Sequence, residues 1–305
     1  MEKKFIFILI AMAVVILILL FSILPIFLSL EDNDLNNANF TIIVLPDTQK
    51  YSEHYPEIFS NQTQWIVDNK EKLNIKFVIH EGDIVDESDD IQQWQVANES
   101  MYILDKNSIP YSVVSGNHDK SEFYNLYFPV LRFSDEKWWG GNYKNNENNF
   151  QLITIEKQDF LFINLDFCPE NEEIEWANSI IENYSNRKAI LTTHAYLNEK
   201  AERETHVCGS TEYIWQNLIR KHENLQLVLS GHVHAEARRT DKNLAGKKVH
   251  QILANYQDEE NGGNGWLRII EFFPLEDKIY VKTYSPYLNS YKTVEKSQFI
   301  LDYEI

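Results

Sequence analysis

Five apolar segments of the chain are each followed directly by side chains that could bind a metal ion. The residues that follow them are Pro46-Asp47-Thr48-Gln49, Glu81-Gly82-Asp83-Ile84-Val85-Asp86, Gly116-Asn117-His118-Asp119, His194 and Gly231-His232-Val233-His234. Carboxylates, amide oxygens and imidazoles are the groups with which proteins hold divalent cations. A carboxylate at the end of a buried strand is costly unless another charge offsets it. These residue types therefore indicate a metal site.

The apolar segments themselves have the pattern of strands in an α/β sheet. They are TIIVL (41–45), IKFVIH (75–80), YSVVS (111–115), AILTTH (189–194) and LQLVLS (225–230), with stretches of helical spacing between most of them. Strands that alternate with helices pair in parallel through right-handed crossovers. The carboxyl ends of parallel strands line one shared crevice. We therefore expect the polar residues to converge, although Asp47 and His234 are far apart in the sequence.

The rest of the chain predicts a layered domain that ends in strands alone. Residues 149–166 have the pattern of two strands joined by a short turn, and residues 171–185 and 211–223 that of helices. The segments KKVHQILAN, GWLRIIEFF, KIYVKTYS and QFILDY follow without helices, so we expect them to pair antiparallel. Residues 120–149 are aromatic and rich in asparagine, which predicts a long irregular insertion. The sum is an α/β domain with two sheets packed face to face and helices outside.

Each motif also has an ordinary structural explanation. An aspartate after a strand is often the cap of the next helix. A single histidine at a strand end is more often a core residue whose hydrogen bonds are satisfied than a metal ligand. Five such motifs in order favour the metal site, because a buried cluster of carboxylates, amides and imidazoles needs cations to offset its charge.

In this order the motifs resemble those of the calcineurin-like metallophosphoesterase superfamily, D-x-H, G-D-x-x-D, G-N-H-D/E, H and G-H-x-H. The matching segments are DTQ, GDIVD, GNHD, THAY and GHVH, and the resemblance covers roughly residues 40 to 255. One position departs from the pattern, since Gln49 stands where the family commonly has histidine. The resemblance implies a four-layer αββα sandwich of two mixed sheets that carries a two-metal site.

The resemblance also implies a role for each site residue. One metal would be held by Asp47, Gln49, Asp83 and His234, and the second by Asp83, Asn117, His194 and His232, with Asp83 shared. His118 matches the histidine that protonates the leaving oxygen or stabilises the phosphoryl oxygens. Asp119 or another carboxylate would orient that ring, as histidines in such sites usually require. The predicted catalytic residues are therefore His118 and Asp119.

Gln49 bears on the identity of the metals. An amide oxygen is a neutral, hard ligand, whereas imidazole is a softer nitrogen donor. The exchange favours two divalent ions of manganese or iron, with zinc as the alternative. Two arrangements stay open, because Gln49 could bind the metal directly or could hydrogen-bond a metal-bound water.

The start of the chain predicts a membrane anchor. Residues 5–30 contain no charged side chain, and a helix of that length extends about 39 Å, enough to cross a bilayer. Lysines precede this segment and acidic residues follow it, so the remainder is expected on the extracytoplasmic side of the cell membrane. We expect an anchor at 1–30, a polar linker at 31–39 and the metallophosphoesterase domain at 40–305. The alternative is a cleaved signal peptide and a secreted protein.

Composition indicates which kinds of partner the protein can bind and how many disulfides it can form. The formal net charge of −18 at pH 7 argues against sequence-independent binding of nucleic acids. Cys168 and Cys208 are the only cysteines, too few for a disulfide scaffold. They could pair with each other or remain two free thiols.

These observations predict a membrane-anchored metallophosphoesterase that hydrolyses phosphate mono- or diesters with water activated by two metals. The alternative is a surface binding or scaffold protein on a phosphoesterase fold that has lost its activity.

Overall fold

The computed structural model of the protein describes residues 39–203, 208 and 211–303. The predicted anchor at 1–30 and nearly all of the predicted linker at 31–39 lie outside these residues. Among the described helices, none combines the length and the apolar composition needed to span a bilayer.

The secondary structure alternates between strands and helices up to β8 and consists mainly of strands after it. The strands are β1 (Phe40–Leu45), β2 (Ile75–His80), β3 (Tyr111–Val113), β4 (Trp139–Tyr143), β5 (Asn148–Ile155), β6 (Gln158–Leu165), β7 (Lys188–Thr193), β8 (Leu225–Ser230), β9 (Glu236–Lys242), β10 (Lys248–Ala254), β11 (Leu267–Phe273), β12 (Lys278–Ser285), β13 (Ser290–Lys292) and β14 (Phe299–Asp302). The helices are α1 (Gln49–His54), α2 (Pro56–Asn69), α3 (Ile91–Lys106), α4 (Glu122–Tyr127), α5 (Asn171–Asn183), α6 (Thr211–Asn217) and α7 (Glu260–Gly263). Short 3₁₀ turns occupy Val130–Arg132, Ile219–Lys221 and Pro274–Glu276.

The strands form two mixed sheets, as the sequence predicts. The first has the order β13-β12-β11-β1-β2-β3, with β14 paired to β12. Its strands β1, β2 and β3 are parallel, and β11 joins β1 antiparallel. The second has the order β4-β5-β6-β7-β8-β10-β9. Its strands β6, β7, β8 and β10 are parallel, while β4, β5 and β9 run antiparallel to their neighbours.

Alternation of apolar residues along the strands builds a core between the two sheets. In β1, Ile42 and Val44 face that core, while Ile43 and Leu45 face the helices. Phe77 of the first sheet stacks on Phe162 of the second, with ring centroids 4.0 Å apart. Full burial of a phenylalanine side chain contributes about 1.5–3 kcal/mol. The helices α2, α3 and α4 cover the first sheet and α5 and α6 the second, which gives the layers helix, sheet, sheet, helix.

The prediction of a long irregular insertion at 120–149 is wrong. This segment forms α4, a 3₁₀ turn and β4, and β4 extends the second sheet by pairing with β5. The sequence of β4, WGGNY, lacks the apolar alternation of a strand, because the Phe150 ring packs against its two glycines and leaves no room for side chains there. A Cβ atom on Gly140 would lie 2.2 Å from that ring, so only glycine fits there.

The prediction that the last strands are all antiparallel holds for β11 to β14 but is wrong for β10. β10 pairs parallel with β8, and the intervening strand β9 returns along the outer edge. β9 was not predicted, because its sequence EARRTDK is highly charged and lacks apolar alternation. The consequence is that β10 ends at the same edge of the sheet as β7 and β8.

Candidate metal centre

Three of the predicted ligands meet at the carboxyl ends of strands from both sheets. Asp83 follows β2, and His194 and His232 follow β7 and β8. Each offers one ligand atom, and these atoms lie within 4.8 Å of one another. Asp83 Oδ2 is 3.1 Å from His194 Nε2. The convergence expected from the strand pattern is therefore present for this group, which we call the Asp83 cluster.

The backbone at this cluster is held in an uncommon conformation. Asp83 has φ 49° and His232 has φ 66°, in the left-handed region that few residues other than glycine adopt, although asparagine, aspartate and histidine do so more often than the rest. Such residues persist where surrounding contacts fix them, and they concentrate at functional sites. One such contact is the hydrogen bond from the His118 backbone N–H to Asp83 Oδ1, at 3.0 Å.

His194 is fully buried with one ring nitrogen aimed at the cluster. Its Nδ1 lies 2.8 Å from the Glu81 carbonyl oxygen, which can only accept, so Nδ1 carries a proton. Its Nε2 points at Asp83 Oδ2, 3.1 Å away. Burial lowers the pKa of the ring, but the Asp83 carboxylate outweighs burial and raises that pKa to about 10. A bound cation would replace the second proton, as metal binding to histidine requires.

Asp47 lies next to this cluster and is oriented by a residue that the sequence analysis missed. Asn255 donates from Nδ2 to Asp47 Oδ2 at 2.6 Å, and the His232 backbone N–H donates to the same oxygen at 3.1 Å. Burial raises the pKa of Asp47 to about 8, with the Asp83 carboxylate adding to the shift and His194 opposing it. Two buried carboxylates that repel each other in this way ionise together more readily when a cation binds beside them.

Gln49 and Asn117 present amide oxygens that have no partner. Gln49 Nε2 donates to Asp86 Oδ1 at 2.6 Å, which fixes the orientation of the amide group. Gln49 Oε1 and Asn117 Oδ1 are then buried without a hydrogen bond. An unsatisfied buried polar atom costs about 1–3 kcal/mol, and both of these belong to predicted ligands. The donor set therefore fits a divalent cation.

His234 is not brought into the Asp83 cluster. Its Nδ1 is 2.7 Å from Asp258 Oδ2, its Nε2 contacts Gln257, and 40% of its side chain is exposed. Its role as a ligand of the first metal remains a prediction that these contacts do not support.

His118 lies at the opening of the site and is oriented by Asp86. Its Nδ1 donates to the Asp86 carbonyl oxygen at 2.6 Å and lies 4.0 Å from Asp86 Oδ1, while 38% of its side chain is exposed. Asp119, the other predicted catalytic residue, is buried behind this site. Its carboxylate accepts from the backbone N–H groups of Ile84, Val85 and Gly116. These contacts indicate that Asp119 shapes the turn around Asp83, and its catalytic role stays a prediction.

Two further features border the site. Phe167 follows β6, and its ring centroid lies 5.8 Å from that of His194 and 5.3 Å from that of His232. The next residue, Cys168, forms a disulfide with Cys208, which decides between the two states that the sequence left open. Sequence reasoning could not assign Phe167, because a single aromatic residue after a strand carries no distinctive signal.

Glycine in the last motif leaves room for Asp47, and this predicts the effect of a small substitution. A Cβ atom on Gly231 would lie 2.1 Å from Asp47 Oδ1. Gly231→Ala should therefore displace the carboxylate and lower the metal content of purified protein about 10-fold or more, since weaker outer contacts already cost 10- to 100-fold. The control is Gly246→Ala, where a Cβ atom meets nothing within 4 Å and the strain of φ 81° falls at the opposite end of β10 from the site. Equal metal contents in the two variants would contradict the prediction.

The fold and this cluster define a class of protein. Residues 40–236 match the sequence profile of the calcineurin-like phosphoesterase family, and the chain belongs to that family. Its members are generally metal-dependent hydrolases, and the matched range contains every predicted site residue.

The chain is also similar to particular proteins. It is 40% identical to the uncharacterized protein YvnB of Bacillus subtilis (strain 168) over 261 aligned residues. The alignment covers 82% of this chain. The match covers 20% of YvnB, so the chain spans about a fifth of that relative's length.

Solved structures share the fold at low sequence identity. A dimetal phosphatase from Danio rerio superposes with a TM-score of 0.61 at 12% identity, covering 87% of this chain and 99% of its own. Purple acid phosphatase PPD1 from yellow lupin (Lupinus luteus) seeds superposes with a TM-score of 0.58 at 14% identity. The match covers 88% of this chain and 54% of the phosphatase. GAP50, the anchor in the inner membrane complex of Plasmodium, superposes with a TM-score of 0.55 at 13% identity. The match covers 88% of this chain and 90% of GAP50.

Proposed function

We propose that this protein hydrolyses phosphate mono- or diesters at the Asp83 cluster with two divalent metal ions. The observation that carries the proposal is the meeting of ligand atoms from Asp83, His194 and His232 within 4.8 Å of one another, with the buried Asp47 carboxylate held by the His232 backbone N–H. A set of this kind is costly in a protein that binds no cation. Membership of a family of metal-dependent phosphoesterases points the same way.

The residues divide by the ion they would hold. Asp83, Asn117, His194 and His232 would hold one ion, and Asp47, Gln49 and Asp83 the other. Bound divalent ions supply neutralising charge for the phosphoryl oxygens and lower the pKa of bound water. The neutral oxygen of Gln49 favours manganese or iron at its site over zinc.

His118 would protonate the leaving oxygen. Its Nδ1 donates to the Asp86 carbonyl oxygen at 2.6 Å, so Nε2 is the ring nitrogen from which a proton would be transferred. The side chain is 38% exposed, so a substrate can approach it from solvent. A positioned general acid typically contributes 10²- to 10⁴-fold to the rate.

A second candidate is a binding or scaffold protein without catalysis. The placement of His234 favours it, because this predicted ligand pairs with Asp258 instead of joining the cluster. A protein of similar fold, GAP50, is described as an anchor.

The experiment that tests the enzyme is hydrolysis of bis-p-nitrophenyl phosphate and p-nitrophenyl phosphate by the full chain in detergent with added Mn²⁺. We expect turnover that a chelator abolishes and that Mn²⁺ restores. Absence of hydrolysis of either ester by protein shown to contain metal would favour the binding protein.

We propose further that the enzyme acts outside the cytoplasm, anchored by its first thirty residues. The disulfide between Cys168 and Cys208 supports this, because disulfides persist in oxidising compartments and are rare in the cytosol. The uncharged run at 5–30 supports an anchor. Protease added to intact cells should degrade the domain, and full protection until the cells are lysed would contradict this location.

Replacing Gln49 by histidine tests the ligand role of the amide. We expect Gln49→His to raise the affinity for Zn²⁺ relative to Mn²⁺ by about 10-fold or more, because imidazole is the softer donor. The measurement is competitive metal binding by isothermal titration. The control is Gln64→His on the exposed face of α2, where Gln64 Nε2 donates to Asp68 on that same face. An unchanged ratio of affinities in Gln49→His would show that Gln49 does not bind the metal directly.

A further inference from the structure

One structural link beside the metal centre has no part in the function proposed above. It consists of Phe167, which follows β6, and the disulfide that joins the next residue, Cys168, to Cys208. Cys208 belongs to the connection between β7 and α6, and that connection begins at His194. The disulfide therefore links the residue after Phe167 to the connection that begins at His194.

The Phe167 ring packs against both histidines of the cluster. Its centroid lies 5.8 Å from that of His194 and 5.3 Å from that of His232, and the two imidazoles are 5.1 Å apart. Three rings in mutual contact restrict one another, because rotation of one ring about its side-chain bond needs space that its neighbours fill. Phe167 thus forms one wall of the space in which the imidazoles can turn.

The position of Phe167 depends on contacts from its own backbone and on the disulfide. Its N–H donates to the Ser115 carbonyl oxygen at 3.0 Å, and its carbonyl oxygen accepts from Lys120 Nζ at 3.1 Å. Cys168 has φ 59°, a left-handed conformation that a residue other than glycine keeps only when neighbouring structure fixes it. The bond to Cys208 is the covalent constraint at this point.

His232 is the ligand whose orientation depends most on a neighbouring contact such as Phe167. It is only partly buried, and its own backbone is in the left-handed region at φ 66°. A ligand held a fraction of an ångström out of place loses metal affinity, and ligand orientation is usually set by contacts outside the ligand set. Phe167 provides an apolar contact of this kind.

We propose that the Cys168–Cys208 disulfide, acting through Phe167, holds His194 and His232 in the orientation that binds a divalent cation. Phe167 and the disulfide are positioning elements and touch no reacting atom. The inference rests on the metal centre of the proposed function but not on its reaction, so metal binding tests it without any assay of hydrolysis.

The experiment measures Mn²⁺ affinity of the full chain in detergent by isothermal titration, with electron paramagnetic resonance to detect imidazole nitrogen coupled to the bound ion. The variants are Phe167→Ala, Phe167→Leu and the double variant Cys168→Ala/Cys208→Ala. The double variant replaces treatment with reductant, because thiol reductants themselves bind metals. Ile279→Val is the control, since Ile279 lies in the core between the sheets and its variant loses stability without touching the centre.

We expect Phe167→Ala and the double cysteine variant to weaken Mn²⁺ binding by about 10- to 100-fold, the range for loss of an outer contact to a ligand. Phe167→Leu, which keeps most of the apolar volume, should restore most of that affinity. The nitrogen coupling should diminish in the two weakened variants and stay unchanged in Ile279→Val.

Two results would overturn the proposal. The first is wild-type affinity in Phe167→Ala. The second is a double cysteine variant that binds Mn²⁺ as tightly as Ile279→Val does. Failure of the wild-type protein itself to bind Mn²⁺ would instead overturn the metal centre, and the proposed function with it. Wild-type protein that binds Mn²⁺ but hydrolyses no ester would overturn the proposed hydrolysis alone.

Discussion

Asp83→Asn is expected to abolish hydrolysis and to strip the centre of metal. Asp83 is the one carboxylate of its cluster, and its Oδ2 lies 3.1 Å from His194 Nε2. Asparagine keeps the shape but removes the charge that offsets the cations. Because the loss of an outer contact alone costs 10- to 100-fold, we expect loss of this charged ligand to lower metal affinity and turnover by about 10³-fold or more. The measurements are metal content after gel filtration and turnover with saturating Mn²⁺.

Asp135→Asn is the matched control, because it removes one carboxylate from an exposed position. It should keep the metal content and turnover of the wild type. If Asp83→Asn retained its metal and more than a tenth of its activity, the centre would lie elsewhere in the protein.

His118→Ala is expected to separate turnover from metal binding. The side chain is held by the Asp86 carbonyl oxygen at 2.6 Å and lies outside the ligand set of the cluster. We expect unchanged metal content and a turnover lower by about 10²- to 10⁴-fold for an alkyl phosphate ester, the typical range for a general acid. The loss should be much smaller for p-nitrophenyl phosphate, because p-nitrophenolate leaves without being protonated.

The control for this variant is His54→Ala, on α1. Its ring is 60% exposed, pairs with the neighbouring Glu53 and packs edge-on against Tyr55. It should behave as the wild type with both esters. An equal loss for the two esters in His118→Ala would show that His118 stabilises the phosphoryl oxygens instead of protonating the leaving group.

The sequence was sufficient to predict where Asp83, His194 and His232 meet. Each follows an apolar run, and parallel pairing brings the carboxyl ends of such strands to one edge. The same argument should have found Asn255, which follows β10 and orients Asp47. It does not, because no helical pattern is visible in the sequence after β8, and strands without intervening helices are expected to pair antiparallel. The local pattern cannot show that β10 passes back beside β8, since that depends on the long-range placement of β9.

Side-chain contacts from distant parts of the chain decided what the sequence could not. His234 has the spacing of a ligand, yet Asp258 on a later loop pairs with its Nδ1. Asp119 stands next to His118 in sequence, but three backbone N–H groups occupy its carboxylate. Asp86, which the motif places among several acidic residues, in fact contacts both Gln49 and His118.

The origin of the ligands on two separate sheets has a consequence for the thermodynamics of the whole domain. Asp83 is carried by the first sheet, and both histidines of its cluster are carried by the second. An ion between them is a non-covalent cross-link between the two halves of the sandwich. At a free concentration 100 times its dissociation constant, such an ion adds about 2.7 kcal/mol to the free energy of unfolding. Occupancy and resistance to heat should therefore rise together, and withdrawal of the ion should loosen the two halves at the end where they share it.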